Sequence, residues 1–256
     1  MTLQHLALVA IAAFVASAIN AGAGGGSFIS FPVLLSIGVP SGSANATNNV
    51  AMWLGSFASA GSFRSELDVP RRTLEKMIAV SAAGSLVGAL LLLRTSNARF
   101  SALIPFLLLA STTLFICGPW LTKRSRASRG RLGIESTLGL VLQFAIAIYG
   151  GFFGAAIGIL MLALLAILGM GDLRRANAFK LMLATVINGV AVVPFVIARA
   201  VAWEPAIAMS AGAIAGGFLG AGVVKRMPPL AVRGVVIAVG VSMTTYFFWK
   251  TYVRHT

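Results

Sequence analysis

Apolar residues occupy the chain in long runs, and polar residues fall into narrow gaps between them. Eight apolar runs stand out, at about 4–38, 43–63, 74–94, 100–121, 134–171, 174–198, 203–224 and 229–249. Six have the ~20-residue length of one membrane-crossing helix. The first and fifth are too long. About 35 residues in one helix would extend ~52 Å, against a hydrocarbon core of ~30 Å. Each of the two carries glycines near its middle, in "NAGAGGGSFISFP" (Asn20–Pro32) and "YGGFFGAAIG" (Tyr149–Gly158). Glycine and proline weaken a helix at such positions. The pattern predicts an all-α polytopic membrane protein in which both long runs are broken. Each would be a helix, a glycine break and a shorter half-helix or re-entrant limb, at about Ser27–Gly38 and Ala155–Gly171.

The two long runs occupy equivalent places. A shift of 132 residues brings Gly22 onto Gly154, Ala23 onto Ala155 and Gly26 onto Gly158, and "ANA" at Ala44–Ala46 onto "ANA" at Ala176–Ala178. This predicts an internal duplication, a frequent plan for secondary transporters. The repeats would be 1–122 and 133–256, joined by a basic cytoplasmic linker at 123–132. If each long run crosses once, the repeats are parallel, and Lys and Arg in loops and tails split about 12 inside to 7 outside. If each is a hairpin, the repeats are inverted, both termini lie outside and the split is about 14 to 5. Length and charge favour the inverted arrangement.

Composition narrows the class. The chain is 58% hydrophobic and 10% charged, with a mean hydropathy of +0.93, which leaves no room for a soluble domain. Its net charge is +14, but the cations cluster between apolar runs, most densely in "KRSRASRGR" (Lys123–Arg131). They read as topology signals and lipid-headgroup contacts, not as a nucleic-acid surface. A single cysteine, Cys117, excludes an internal disulfide, and His5 and His255 lie near opposite ends. Neither a metal cluster nor a cofactor is expected. "ASAINA" resembles a cleavage site, yet no Lys or Arg precedes it and a related segment recurs mid-chain, so it reads as mature protein.

The candidate chemistry lies at the breaks. Backbone freed at mid-membrane must be buried in protein or line a cavity. A half-helix that starts there presents free N–H groups and a positive dipole end, which suits an anion. Gly24, Gly25 and Gly26 permit close backbone approach and Ser27 adds a hydroxyl; Gly154 and Gly158 take the same part in the second half. Close packing through small residues is the competing reading. The helix after each break adds Asn45, Thr47, Asn48 and Asn49 in the first half, and Asn177 and Lys180 in the second. Asn45 and Asn49 share a face. Amides in lipid are costly, so that face points inward, either to ligand or as interhelical glue that holds the half-helix in place. Lys180 either snorkels to the interface or faces a cavity as partner of an anion. The acids Glu66, Asp68, Glu75, Glu135, Asp172 and Glu204 all lie near loop edges, so a proton relay or a cation cage is not expected. The ligand expected is a small anion, the other partner is the lipid bilayer, and homo-oligomerisation is left open. A serine hydrolase would need a base, and only a Ser–Lys pair through Lys180 is conceivable.

Four stretches carry a family resemblance: "GAGGGSFISFPVLLSIGVP", "ANATNN", "YGGFFGAAIGILMLALLAILG" and "DLRRANAFKLMLATVIN". With them the chain resembles the sulfite exporter TauE/SafE family of membrane transporters over essentially its whole length. The resemblance implies an inner-membrane carrier of bacteria that exports sulfite or an organosulfonate by alternating access; the alternative is an anion channel that uses the same breaks as a filter. That family's first-half motif usually reads Thr-Asn-Lys; Thr47 and Asn48 match it, and Asn49 replaces the lysine. Lys180 matches the second-half lysine, while Leu181 stands where asparagine is common. One positive charge is thereby lost from the implied site.

Overall fold

The computed structural model describes residues 1–22, 24–127, 133–224 and 229–253. Among the described residues every regular element is helical: α1 (Leu3–Gly22), α2 (Ser27–Ser36), α3 (Ser41–Ser62), α4 (Arg71–Arg94), α5 (Asn97–Ala127), α6 (Thr137–Phe152), α7 (Ile157–Ile167), α8 (Leu173–Ile197), α9 (Trp203–Val224) and α10 (Pro229–Phe248). A 3₁₀ turn at Arg64–Glu66 and a π turn at Trp249–Val253 complete them. Of these, α1, α4 and α8 are long and apolar enough to cross a membrane, by length and composition. The basic linker expected at 123–132 lies partly outside the described residues, and its first part continues α5 to Ala127.

Both long apolar runs are broken where their glycines stand. α2 has 10 residues and α7 has 11, which makes each roughly 15–17 Å long, about half a hydrocarbon core. Gly24 (φ +79°), Gly25 (+88°) and Gly154 (+78°) take the left-handed conformation that reverses the chain. Ala156 takes it too, at φ +62°, with a Cβ that costs about 1–2 kcal/mol there. The two short helices also end alike. Gly38 (φ +87°) and Gly169 (+93°) stop them, and the Gly38 and Gly169 N–H groups donate back to Leu35 and Ala166. Pro40 and Pro70 precede α3 and α4, where a missing N–H costs nothing. The Asp172 carboxylate caps α8 by accepting from the N–H of Arg174 (2.8 Å) and Arg175 (3.3 Å).

Glycines set which helices meet. α1 packs along α9 and α4 along α6, each across the two halves of the chain. A Cβ on Gly212 or Gly216 would lie 2.0 or 2.1 Å from the Ala10 or Phe14 carbonyl of α1, and one on Gly88 would lie 2.0 Å from the Ile148 carbonyl of α6. Backbones therefore touch where side chains would normally separate them, as small-residue spacing does in membrane helices. The matches Ala10–Gly212, Phe14–Gly216 and Ala18–Gly220 make α1 and α9 parallel. Trp53 against Gly189, with Phe63 clustered on Ala178 and Leu181, makes α3 and α8 antiparallel.

Hydrogen bonds place the helix ends. At one end of the bundle the Ser41 hydroxyl donates to the Asn97 carbonyl, Tyr252 donates to the Ala102 carbonyl, and the Met1 amino group pairs with Glu204 at 2.6 Å. At the other end Arg175 pairs with Asp68 at 2.8 Å, and Glu135 accepts from Thr73 and Lys76. α2 runs back from the break toward the first end. Asn48, seven residues into α3, holds its first turn, and its exit at Gly38 leads directly to Ser41.

The candidate anion site at the two breaks

The two breaks meet each other. A Cβ on Gly24 would lie 3.3 Å from the Ile159 nitrogen and 3.4 Å from the Gly158 backbone, and one on Gly158 would lie 3.3 Å from the Gly24 Cα. Gly24, Gly25, Gly26 and Gly158 are buried, and Gly154 is half-buried. Gly26 folds the chain back onto α1, where a Cβ would sit 1.9 Å from the Ala16 carbonyl oxygen. Gly24 and Gly26 both pack closely on protein, Gly24 on the second break and Gly26 on α1.

Lys180 lies beside this contact. It is 1% exposed and does not snorkel. Its Cδ would be 3.2 Å from a Cβ on Gly158, and its ammonium donates to the Asn20 carbonyl at 3.0 Å. That carbonyl belongs to the last turn of α1, the negative end of the helix dipole. Lys180 is the one ionisable side chain in the buried polar set of the described residues; the others are Ser, Thr, Asn and Gln. No group of His, Cys, Asp and Glu that could hold a metal occurs among the described residues.

The asparagines divide by task. Asn45 donates to the Phe152 carbonyl at the end of α6 (2.9 Å), and Asn177 donates to the Ala21 carbonyl at the end of α1 (3.0 Å). Each closes the helix that precedes the opposite half's break, which is the glue role weighed for them. Asn48 donates to the Ser27 hydroxyl (3.3 Å) and accepts from the Ser30 hydroxyl (2.6 Å), fixing the first turn of α2. Asn49 is 3% exposed, its amide nitrogen lies 3.8 Å from a Cβ placed on Gly154, and its Oδ1 is buried with no hydrogen-bond partner. Thr47 stands apart: its hydroxyl accepts from the Ala202 N–H (2.9 Å) and ties α3 to the start of α9.

Backbone donors complete the set. Gly25 and Gly26 accept from Phe28 and Ile29, while no described hydrogen bond is donated by the N–H groups of Gly24, Gly25, Gly26 or Ser27. The first turn of α2, held by Asn48, therefore offers donors and a positive dipole end. Ser30 was missed in the sequence, although it lies one turn beyond Ser27 on the same face. Tyr149, hydrogen-bonded to Ser111, and Gln143, donating to Ser81 at 2.8 Å, were missed as well. Their polarity is hidden inside apolar runs.

The sulfite exporter TauE/SafE family model matches residues 9–247. The chain belongs to this family. Family members are membrane transporters, and this chain is an integral membrane protein of that kind. It is 31% identical over 240 residues to a "Probable membrane transporter protein" of Haemophilus influenzae, covering 93% of this chain and 92% of the relative. "Probable membrane transporter protein ORF9" of Sinorhizobium sp. is 28% identical over 239 residues, covering 93% and 90%. "Probable membrane transporter protein YfcA" of Escherichia coli K12 is 25% identical over 248 residues, covering 96% and 91%. No solved structure matches the chain.

Proposed function

We propose that this family member is a bacterial inner-membrane, multi-pass carrier that exports a small sulfur-containing anion, sulfite or an organosulfonate. The observation that carries the reading is the contact of Gly24 with Gly158 beside the buried, acid-free Lys180. The carbonyl end of α1 offsets much of the cost of burying this cation but carries no full charge, and a bound anion would supply one. In this reading the Gly24–Ser27 backbone, Asn49 and Lys180 supply the donors, Gly154 shapes the edge of the site, and Asn48 holds α2 in position.

An internal duplication with inverted repeats supports alternating access around this spot. α3, α4 and α5 start at Ser41, Arg71 and Asn97, and α8, α9 and α10 start at Leu173, Trp203 and Pro229, each 132 residues later. The antiparallel α3–α8 pair and the exchanged α1–α9 and α4–α6 pairs fit an inverted relation. The end that holds Arg64, Arg71, Arg72, Lys76, Arg174 and Arg175 faces the cytoplasm on the positive-inside rule. Both termini then lie outside. An inside-negative potential favours anion exit by ~2.3 kcal/mol per charge per 100 mV. The test is thermal-shift screening of purified protein against sulfite, organosulfonates and sulfate, followed by counterflow in liposomes. Stabilisation by the sulfur oxyanions and saturable counterflow are expected. Silence toward every anion rejects the substrate class, and large unitary currents reject a carrier.

A further inference from the structure

A second site lies on the outer flank of α2. A cavity of about 390 Å³ opens between α2 and α10, lined by Pro32, Val33 and Ser36 on one side and Met243, Phe247 and Lys250 on the other. Its lining is apolar except at one end. Ser36 and Lys250 both belong to the end of the bundle marked by Ser41, Asn97 and Tyr252. Phe28 and Val239 lie at the other extreme, beside the start of α2 at the break.

We propose that this groove binds one acyl chain of an anionic phospholipid, with its headgroup on Lys250. Length agrees: Val239 to Lys250 is eleven steps along α10 and into the π turn that follows it, roughly 16 Å, and a hydrocarbon leaflet is about 15 Å deep. Depth agrees as well. Tyr246, Trp249 and Tyr252 are all about half exposed around Lys250 (47%, 48% and 47%), the aromatic setting of a membrane–water interface. Charge selects the headgroup. The Lys250 ammonium stands 5.9 Å from the centre of the Tyr246 ring, and no carboxylate among the described residues pairs with it. A lipid seated here presses on the half-helix whose first turn carries Ser27 and Ser30, so it steadies the break from outside.

Native mass spectrometry of the full chain in mild detergent tests this, with phosphatidylglycerol and phosphatidylcholine offered at equal mole fraction. The wild type should retain the anionic lipid about fivefold better, the ratio that ~1 kcal/mol per cation at a membrane surface gives. Lys250→Gln, an exposed change, should bring the ratio near one. Met243→Trp, which fills the groove, should lower retention of both lipids. Equal retention by the wild type, or a preference that survives in Lys250→Gln, overturns the proposal. Loss of a dimer in Met243→Trp with lipid retention unchanged also overturns it, because the groove would then join two copies.

Discussion

Replacing Lys180 with methionine separates a binding cation from a structural strut. The lysine is 1% exposed and makes one hydrogen bond, to the Asn20 carbonyl at 3.0 Å. Burying such an ion costs several kcal/mol even after relaxation. The charged hydrogen bond returns about 1.5–3 kcal/mol and the α1 dipole up to ~2 kcal/mol, so the empty site is close to balance. Methionine keeps the stem that rests on Gly158 and removes the charge. It also strands the Asn20 carbonyl, a loss of about 1–3 kcal/mol. The two changes oppose each other, and the net effect on stability should stay within ~2 kcal/mol of zero. At roughly 2–4 °C per kcal/mol for a chain of this size, the midpoint should move by no more than about 8 °C in either direction. Binding should respond differently. Losing a charge-assisted contact of about 1.5–3 kcal/mol weakens anion affinity roughly 10- to 150-fold. Counterflow of labelled sulfite in liposomes, read as half-saturation, measures this beside the melting midpoint. An unchanged half-saturation refutes the binding role. A collapse of the fold refutes the balance argued here and makes Lys180 a strut.

Four further outcomes follow from the same contacts. Gly88→Ala should destabilise by about 1–3 kcal/mol, since its Cβ would lie 2.0 Å from the Ile148 carbonyl; Gly61→Ala, with nothing within 4 Å, should gain up to ~1 kcal/mol, both read as melting midpoints. Asn177→Ala should lose about 1–3 kcal/mol by leaving the Ala21 carbonyl unpaired, and Asn45→Ala should do the same at Phe152. Gly24→Ala should weaken counterflow, because φ +79° is strained for a side chain and the Ile159 backbone, 3.3 Å from the added methyl group, would have to give by a few tenths of an ångström. Hydrogen bonds from Lys76, then Thr73, hold the Glu135 carboxyl below its ordinary range. Its contribution is therefore present above the unfolded-state value and fades as pH falls through the folded one, and Glu135→Gln should flatten that acid limb of a melting-versus-pH curve.

The breaks were legible because two signals agreed there, excess length and clustered glycine. The class of the protein was legible from composition for the same reason that a soluble core was excluded. The division of labour among the asparagines was not. Asn45 and Asn49 share a helix face and both meet the second break, yet Asn45 is spent on the Phe152 carbonyl while the Asn49 Oδ1 has no partner among the described residues. Which carbonyl lies opposite an amide depends on helices 100 residues away, and no local period encodes that. Thr47 is the clearest case. Its neighbours point to the site, but its hydroxyl is taken by the Ala202 N–H, a contact created by the parallel packing of α3 and α9. Lys180 was legible as an oddity and undecided as to direction. Its stem lies over the gap that Gly158 leaves, with the Lys180 Cδ 3.2 Å from where a Cβ would be.

That gap bears on how the site could work. Gly24 belongs to the first break and Gly158 to the second, yet a Cβ on Gly24 would lie 3.4 Å from Gly158 and one on Gly158 would lie 3.3 Å from Gly24. Lys180 follows the second break in sequence but reaches α1, the helix before the first. Asn45 and Asn177 cross in the same way, each holding the helix end of the other half. No half therefore owns a complete set of donors. A movement that opens one break must shift the carbonyl on which Lys180 rests, and with it the surface of Gly158. An anion that draws the Lys180 ammonium away from Asn20 would loosen α1 at its last turn, at the point where α2 begins its return. In the proposed carrier, binding and the release of the break would then be one event, the coupling that a carrier needs and a fixed filter does not.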